Sequence, residues 1–231
     1  MVGRVTDALP LAVANASRMW TAVGTARGGR VEQGDGYLAV WAGRSPLRIL
    51  TQSSTPDVTG LTALAADADK VVVEDAYNTV DLSGIGLTAR QLPVMIRDGG
   101  PALPPASATR VGVTELTTAE RMVVHDFALD DFHPYQVGEA FPAALLAQDG
   151  VRLYLIDRAG ACLTVINDRV GGIYWVTTAP EHRSQGVARR LMHAVLADMA
   201  GLPITLTAAK PGRPLYDSLD FEVITTATWW M

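Results

Sequence analysis

Residues 171–200 read G-G-I-Y-W-V-T-T-A-P-E-H-R-S-Q-G-V-A-R-R-L-M-H-A-V-L-A-D-M-A, and their reading decides the fold. Ile173–Thr178 is a β-branched and aromatic run of strand type. Pro180 ends it by removing a ladder donor. From Ala188 the apolar positions are Ala188, Leu191, Met192, Val195, Leu196 and Met199, the ladder of a helix with one buried face. Gly201 and Pro203 supply the stop. Between strand and helix lies Arg183-Ser184-Gln185-Gly186-Val187-Ala188. A helix start has unpaired N–H groups and the positive end of the dipole. Gly186 and Ala188 have no bulk to keep a ligand from the backbone, and Arg183, Arg189 and Arg190 add positive charge. The combination suits a pyrophosphate, although an ordinary strand-turn-helix with a solvated basic face has the same ingredients.

The spacing R-x-x-G-x-A, preceded by a strand and a proline, resembles the coenzyme A loop of the GNAT acetyltransferase superfamily, whose pattern is Q/R-x-x-G-x-G/A. Arg183, Gly186 and Ala188 occupy its defining positions. A second match follows. Ile204–Thr207 reads as a strand, and Leu215-Tyr216-Asp217-Ser218-Leu219-Asp220-Phe221 resembles the family's closing L-Y-x-x-x-G-F. Asp220 stands where glycine is usual, at a turn position that favours the left-handed conformation. The two motifs span about a quarter of the chain.

Outward from these motifs, 231 residues allow one large or two modest domains. A hydrophobic content of 48% with 19% charged residues describes a globular protein with a substantial core. The net charge is −5, and no basic tract marks a nucleic-acid binder. The acidic balance mildly favours a cationic acceptor such as an amine. The one cysteine, Cys162, lies among Leu163, Val165 and Ile166 and reads as a buried strand residue. The four histidines have no metal-ligand spacing, so no metal is expected. Leu9–Ala14 is too short for a signal-peptide core and is broken by Pro10, and no apolar run approaches a membrane span. The expectation is a cytoplasmic protein.

Along the chain, Thr6–Arg27 reads as a helix ended by Gly28-Gly29, and Tyr37–Trp41 and Leu47–Thr51 as strands. Asp57 is placed to cap a helix running to Asp69. Lys70–Glu74 reads as a strand, Asp81–Leu87 as a short helix and Leu92–Arg97 as a strand. Gly84-Ile85-Gly86-Leu87-Thr88-Ala89 fits a dinucleotide fingerprint by letter, but it neither follows a strand directly nor opens a long helix, so it is rejected. Residues 99–109 read as a Gly- and Pro-rich linker between a first domain, 1–98, and a second, 110–231. Val111–Glu115 reads as a strand. Thr117 with Glu120 forms a capping box for a helix carrying Met122, Val123 and Phe127. A loop at 130–135, a second helix to about Gln148 and strands at Val151–Ile156 and Ala161–Ile166 follow. This order resembles the GNAT fold, a mixed, mostly antiparallel sheet flanked by helices. The first domain repeats the end of that order without a coenzyme A loop and resembles a degenerate second copy.

The resemblance implies an acetyl-CoA-dependent N-acetyltransferase acting on a primary amine of a small molecule or protein, with acetyl-CoA as cosubstrate. It places the pantetheine arm on Val176, Thr177 and Thr178 and the pyrophosphate on Arg183, Ser184, Gln185, Gly186, Val187, Ala188 and Arg189. It makes Tyr216 the acid that protonates the leaving thiolate; a phenol with a pKa near ~10 keeps its proton at neutral pH. Packing of the closing helix is the structural alternative for Tyr216. No carboxylate lies on the strand at 170–179, so no base is assigned among Asp130, Asp131, His133, Glu139, Asp168 and Glu181. The resemblance puts the acceptor beside residues 130–139. Two other functions fit the same motifs: a mycothiol-synthase-like tandem acetyltransferase and a non-catalytic acyl-CoA sensor or interaction module. Tyr216 speaks against the sensor, which needs no proton donor.

Overall fold

The computed structural model describes residues 8–99, 108–112, 114–127 and 138–231. In chain order the first elements are α1 (Ala8–Ala26), β1 (Arg30–Gln33), β2 (Tyr37–Trp41), β3 (Leu47–Thr51), α2 (Val58–Ala66), β4 (Val71–Asp75) and β5 (Ala89–Arg97). Next come β6 (Thr109–Arg110), α3 (Leu116–Phe127), α4 (Ala143–Leu146), β7 (Val151–Ile156), β8 (Gly160–Ile166) and β9 (Gly171–Thr178). The last are α5 (Val187–Asp198), β10 (Ile204–Thr207), α6 (Arg213–Asp217) and β11 (Glu222–Trp230). The chain forms two compact units, one of Met1–Arg97 with Thr205–Met231, the other of Asp98–Ile204. One boundary lies between Arg97 and Asp98, and a second, between Ile204 and Thr205, returns the last 27 residues to the first unit.

In the first unit the strand order is β1-β2-β3-β4-β11-β5-β10. β3 and β4 are parallel, joined through α2, whereas β1–β2 and β2–β3 are antiparallel. β11 is antiparallel to both β4 and β5 and pairs with β5 along nearly its whole length. The chain's last strand therefore fills the gap between the final two strands of the first half. One core cluster joins Leu47 and Ile49 of β3, Val71 and Val73 of β4, Leu61 and Ala65 of α2, and Trp230 of β11. A buried ion pair crosses the same unit. Arg48 Nη1 lies 2.9 Å from Glu74 Oε1, and Trp20 Nε1 donates to that oxygen at 3.0 Å. The guanidinium lies over the rings of Trp20 and Trp229. A carboxylate taken out of water needs such partners. Burial pushes the Glu74 carboxyl up, against the opposing pull of Arg48 and the Trp20 bond.

The second unit orders its strands β9-β8-β7-β6, all antiparallel. Both α3 and α5 pack on β7, β8 and β9. With the parallel β3–β4 pair of the first unit among antiparallel ones, the strand pairing is mixed and mostly antiparallel, flanked by helices as expected. Four local expectations change. β1 is an added edge strand whose polar Arg30-Val31-Glu32-Gln33 run hid it from a hydrophobic pattern search; exposed charges are what such an edge favours. The strand expected at Val111–Glu115 is not formed by the described residues there: β6 ends before it, at Arg110, and Gly112 N donates to Glu115 Oε2. The helix expected up to Gln148 is the single turn α4; part of that expectation, and the loop at 130–135, lie outside the described residues. The capping box is not formed, since α3 already contains Thr117 and Glu120 reaches elsewhere. The segment at 84–89 is a 3-10 turn followed by β5, with no long helix after it.

Candidate functional site

α5 is held at both ends. A Cβ on Gly160 of β8 would lie 2.7 Å from Val187 Cγ1, and one on Gly171 of β9 would strike Met199 Sδ. Only glycine lets the helix approach the sheet this closely. Between these contacts α5 buries Val187, Leu191, Met192, Val195 and Leu196, with Met199 just beyond it. The expected stripe holds except at its start, where Val187 rather than Ala188 is buried, because the helix begins one residue earlier. At the far end Arg152 Nη1 and the Tyr154 hydroxyl both meet Asp198 Oδ2, the former at 2.6 Å. Burial pushes the Tyr154 phenol up, and its bond to Asp198 adds to this. Burial would raise Asp198 as well, but the bonds from Tyr154 and Arg152 hold it low.

The mouth of α5 is open. Its N-cap is Gly186, at φ 74°, and no side chain caps the helix. Ser184, two residues earlier, has φ 60°. Left-handed residues within a turn make concave arrays of N–H groups that take anions. Among the described residues beyond its chain neighbours, no atom lies within 4 Å of where a Cβ on Gly186 would stand. Arg183, Arg189 and Arg190 are exposed around it. Two side chains brace the loop itself: Arg183 Nε donates to Thr178 O at 3.3 Å and Gln185 Nε2 to Glu181 O at 2.9 Å.

The strand leading into this loop is irregular. On β9, Tyr174 pairs with Leu163 and Thr177 with Ala161, so Trp175 and Val176 together oppose Cys162. This is a β-bulge, which takes one residue's backbone out of the ladder. Trp175 has φ 53°. A bulky side chain there is an outlier, costing about 1–3 kcal/mol, and persists only where its surroundings hold it. Phe141 does so: its ring stacks on Trp175 with centroids 5.4 Å apart and planes inclined by 18°. Such a contact is worth about 0.5–1.5 kcal/mol beyond burial. Glu120 of α3 holds Phe141 in turn. Its Oε1 accepts from Ala140 N at 2.7 Å and Phe141 N at 3.2 Å, and its Oε2 from Gly138 N at 2.7 Å.

The structure thus brings Val176, Thr177, Thr178 and the loop Arg183–Arg189 together in the second unit. Val176 and Thr178 are half-buried, and Thr177 is buried with its hydroxyl donating to Ala161 O at 3.4 Å. Tyr216 lies in the first unit, on α6, buried, its ring edge-on to Phe221 with centroids 5.9 Å apart. α6 ends in a Schellman motif: Phe221 N donates to Tyr216 O and Asp220 N to Asp217 O. Asp220 takes the left-handed position, φ 63°, where the motif usually has glycine. Cys162 is fully buried and burial pushes its thiol up, which fits a strand residue and not a nucleophile. Of the carboxylates weighed as bases, Asp168 and Glu181 are exposed in turns and Glu139 is half-buried; Asp130, Asp131 and His133 lie outside the described residues. Among the described residues no cluster of His, Cys, Asp and Glu could hold a metal ion, and no helix is long and apolar enough to cross a membrane. The bulge, Phe141 and the Glu120 bonds had no signature in sequence beyond the aromatic run of β9.

Residues 167–224 match the family model of the acetyltransferase (GNAT) domain. No curated protein matches the chain. Among solved structures, a GCN5-related N-acetyltransferase from Kribbella flavida superposes with a TM-score of 0.61 at 17% identity, over 93% of this chain and 94% of its own. A GNAT-family protein from Novosphingobium aromaticivorans gives 0.62 at 19% identity, over 96% of each chain. A GCN5-related N-acetyltransferase-like protein from Streptococcus suis gives 0.55 at 11% identity, over 94% of this chain and 99% of its own. At these identities the likeness is one of fold, and it extends over both units.

Proposed function

We propose, from the match of residues 167–224 to the acetyltransferase (GNAT) domain, that the chain is an acyltransferase moving the acetyl group of acetyl-CoA to a primary amine of a small molecule or protein. The observation that carries this reading is the uncapped mouth of α5, with two left-handed residues before it and three arginines around it. A pyrophosphate there meets backbone donors, the helix dipole and cations at once. Arg183–Arg189 would hold it, and Val176, Thr177 and Thr178 would line the pantetheine arm.

In the reaction the amine nitrogen attacks the thioester carbonyl, a C–N bond forms and the C–S bond breaks. The amine gives up a proton and the leaving thiolate gains one. A backbone N–H of the strand at Val176–Thr178 would be the preorganised donor that stabilises the carbonyl oxygen as charge develops on it. The family resemblance assigns the thiolate's proton to Tyr216. The acidic chain, net charge −5, favours an acceptor that arrives as a cation.

Replacing Gly186 with valine tests the reading by calorimetry with coenzyme A. The variant strains a left-handed position and fills the space before the helix, so affinity falls by on the order of 100-fold, from strain of about 1–3 kcal/mol plus lost approach. Unchanged affinity would remove the pyrophosphate from this loop.

A further inference from the structure

We propose that Arg97, at the end of the first half, is a positioning residue for Tyr216, acting by holding the left-handed turn that follows α6. The proposal rests on the reading of Tyr216 as the acid that protonates the leaving thiolate.

All the residues concerned lie in the first unit. Arg97 ends β5, one residue past Ile96, which pairs with Glu222 at the start of β11. Its side chain is buried, the residue being 6% exposed, and its Nε donates to Leu219 O at 3.1 Å across 122 positions of sequence. Burying a long cationic side chain costs rotamer freedom and hydration, and a bond from a guanidinium to a carbonyl is stronger than one between neutral groups. What this bond fixes is the peptide between Leu219 and Asp220. Arg97 takes its carbonyl, and its N–H donates to Asp217 O at 3.3 Å, so the group is held at both ends.

The next torsion along the chain is the φ of Asp220, at 63°. Glycine adopts that conformation freely, and aspartate does so at a cost. A strained residue persists where its surroundings over-determine it, and the clamped peptide just before Asp220 is such a constraint. The same turn carries Tyr216. Leu219 N and Phe221 N both donate to Tyr216 O, and the Phe221 ring stands edge-on to the Tyr216 ring. At the start of α6 a Cβ on Gly212 would lie 3.0 Å from Tyr216 Cε2, so the ring has little room there. If Asp220 relaxes to negative φ, Phe221 N leaves Tyr216 O and the phenol loses its fixed place. With glycine at that position the turn would need no clamp. Arg97 and Asp220 are therefore coupled, and the coupling is measurable by a double-mutant cycle.

The test uses the full chain carrying 3-fluorotyrosine at its tyrosines, with the Tyr216 resonance assigned by its loss in Tyr216→Phe. In the unaltered protein that resonance is a single line, and adding coenzyme A moves it. In Arg97→Met, which keeps apolar bulk and removes the donor, the line broadens and most of its movement with coenzyme A is lost. Coenzyme A affinity by calorimetry stays within about threefold, since the loop at α5 is untouched. Asp220→Gly added to Arg97→Met restores the single line and its movement, because glycine takes the left-handed turn unaided. A general loss of packing around Arg97 would not be mended by a substitution in the turn. Should Arg97→Met not fold, Arg97→Lys, which keeps a charged donor with different geometry, is compared with and without Asp220→Gly and shows the same pattern at smaller size. A line that stays single and moves as in the unaltered protein, or a broadened line that Asp220→Gly fails to restore, overturns the proposal and leaves the acyltransferase reading in place. If coenzyme A binds the unaltered protein without moving the Tyr216 line, the role of Tyr216 as the acid falls, and that of Arg97 with it. Failure of the unaltered protein to bind coenzyme A at all overturns the acyltransferase reading itself.

Discussion

Two helices of this protein open after a strand and a loop, and they treat an incoming anion in opposite ways. α2 follows β3 through Gln52-Ser53-Ser54-Thr55-Pro56-Asp57, and the Asp57 carboxylate accepts from Gly60 N at 3.0 Å. α5 follows β9 through Arg183–Gly186 and has no side-chain cap. At α2 the dipole and the first N–H groups are satisfied by a charge of the chain itself. At α5 they are left for a ligand. The same local architecture is thus a helix start capped by a side chain in one unit and one without a side-chain cap in the other, where we propose that the pyrophosphate binds, and the difference rests on the residue at the cap.

The largest effect expected from breaking this comparison comes from cutting the halves apart. If the second half were self-sufficient, residues 99–231 would fold alone and bind coenzyme A. β11 pairs with β4 and β5, both of the first half, so the fragment exposes a nine-residue strand with neither partner. We expect it to lack a cooperative monomeric fold, checked by size-exclusion chromatography and thermal melting. A monomeric fragment with intact coenzyme A affinity would contradict this.

Next in size is Tyr216→Phe. If Tyr216 is the proton donor, turnover with an accepted amine drops by about 10²–10⁴ while coenzyme A affinity holds. If its contact with Phe221 is all that matters, the ring survives the substitution and turnover stays near wild type. Steady-state rates across pH separate the two.

Asp57→Ala is smaller still. Loss of the cap costs about 1 kcal/mol, read as a lowered denaturation midpoint. It should not create a second site, because Pro56 still withholds a backbone donor at that mouth. Titration with acetyl-CoA then stays at one per chain, and a rise toward two would mean that Asp57 alone closes α2.

The least effect, and the finest contrast between units, is in pH. Glu74 is raised by burial above its ordinary 4.5, so its ionisation disfavours the folded state. That penalty is present above the raised value and vanishes as pH falls below the ordinary one. Asp198, despite burial, is held below its ordinary 3.8 by Tyr154 and Arg152. Its contribution is present above that ordinary value and is lost as pH falls through the lowered one. Mild acidification should therefore slow amide exchange around Glu74, and stronger acidification should speed it at the end of α5. Glu74→Gln abolishes the first trend and keeps the second.

Much of this was legible in the chain because it is local. Positive φ falls on Asp220, where the closing motif asks for it. The α5 stripe, the N-cap at Asp57 and the end of α1 at Gly28-Gly29 follow from residue type within a few positions. The loop before α5 belongs here too, since its charge, its glycine and its helix start are neighbours in sequence. Other features were decided by the tertiary structure. T-x-x-E at Thr117–Glu120 has the letters of a capping box, yet Glu120 serves backbone 18 to 21 residues away, because a buried carboxylate goes to whichever donors burial brings to it. The left-handed Trp175 contradicts its own propensity and stacks on Phe141, which is 34 positions away in sequence. The place of β11 between β4 and β5 depends on pairing across more than 120 residues, and an alternating strand pattern says which face is buried but not which neighbour it meets.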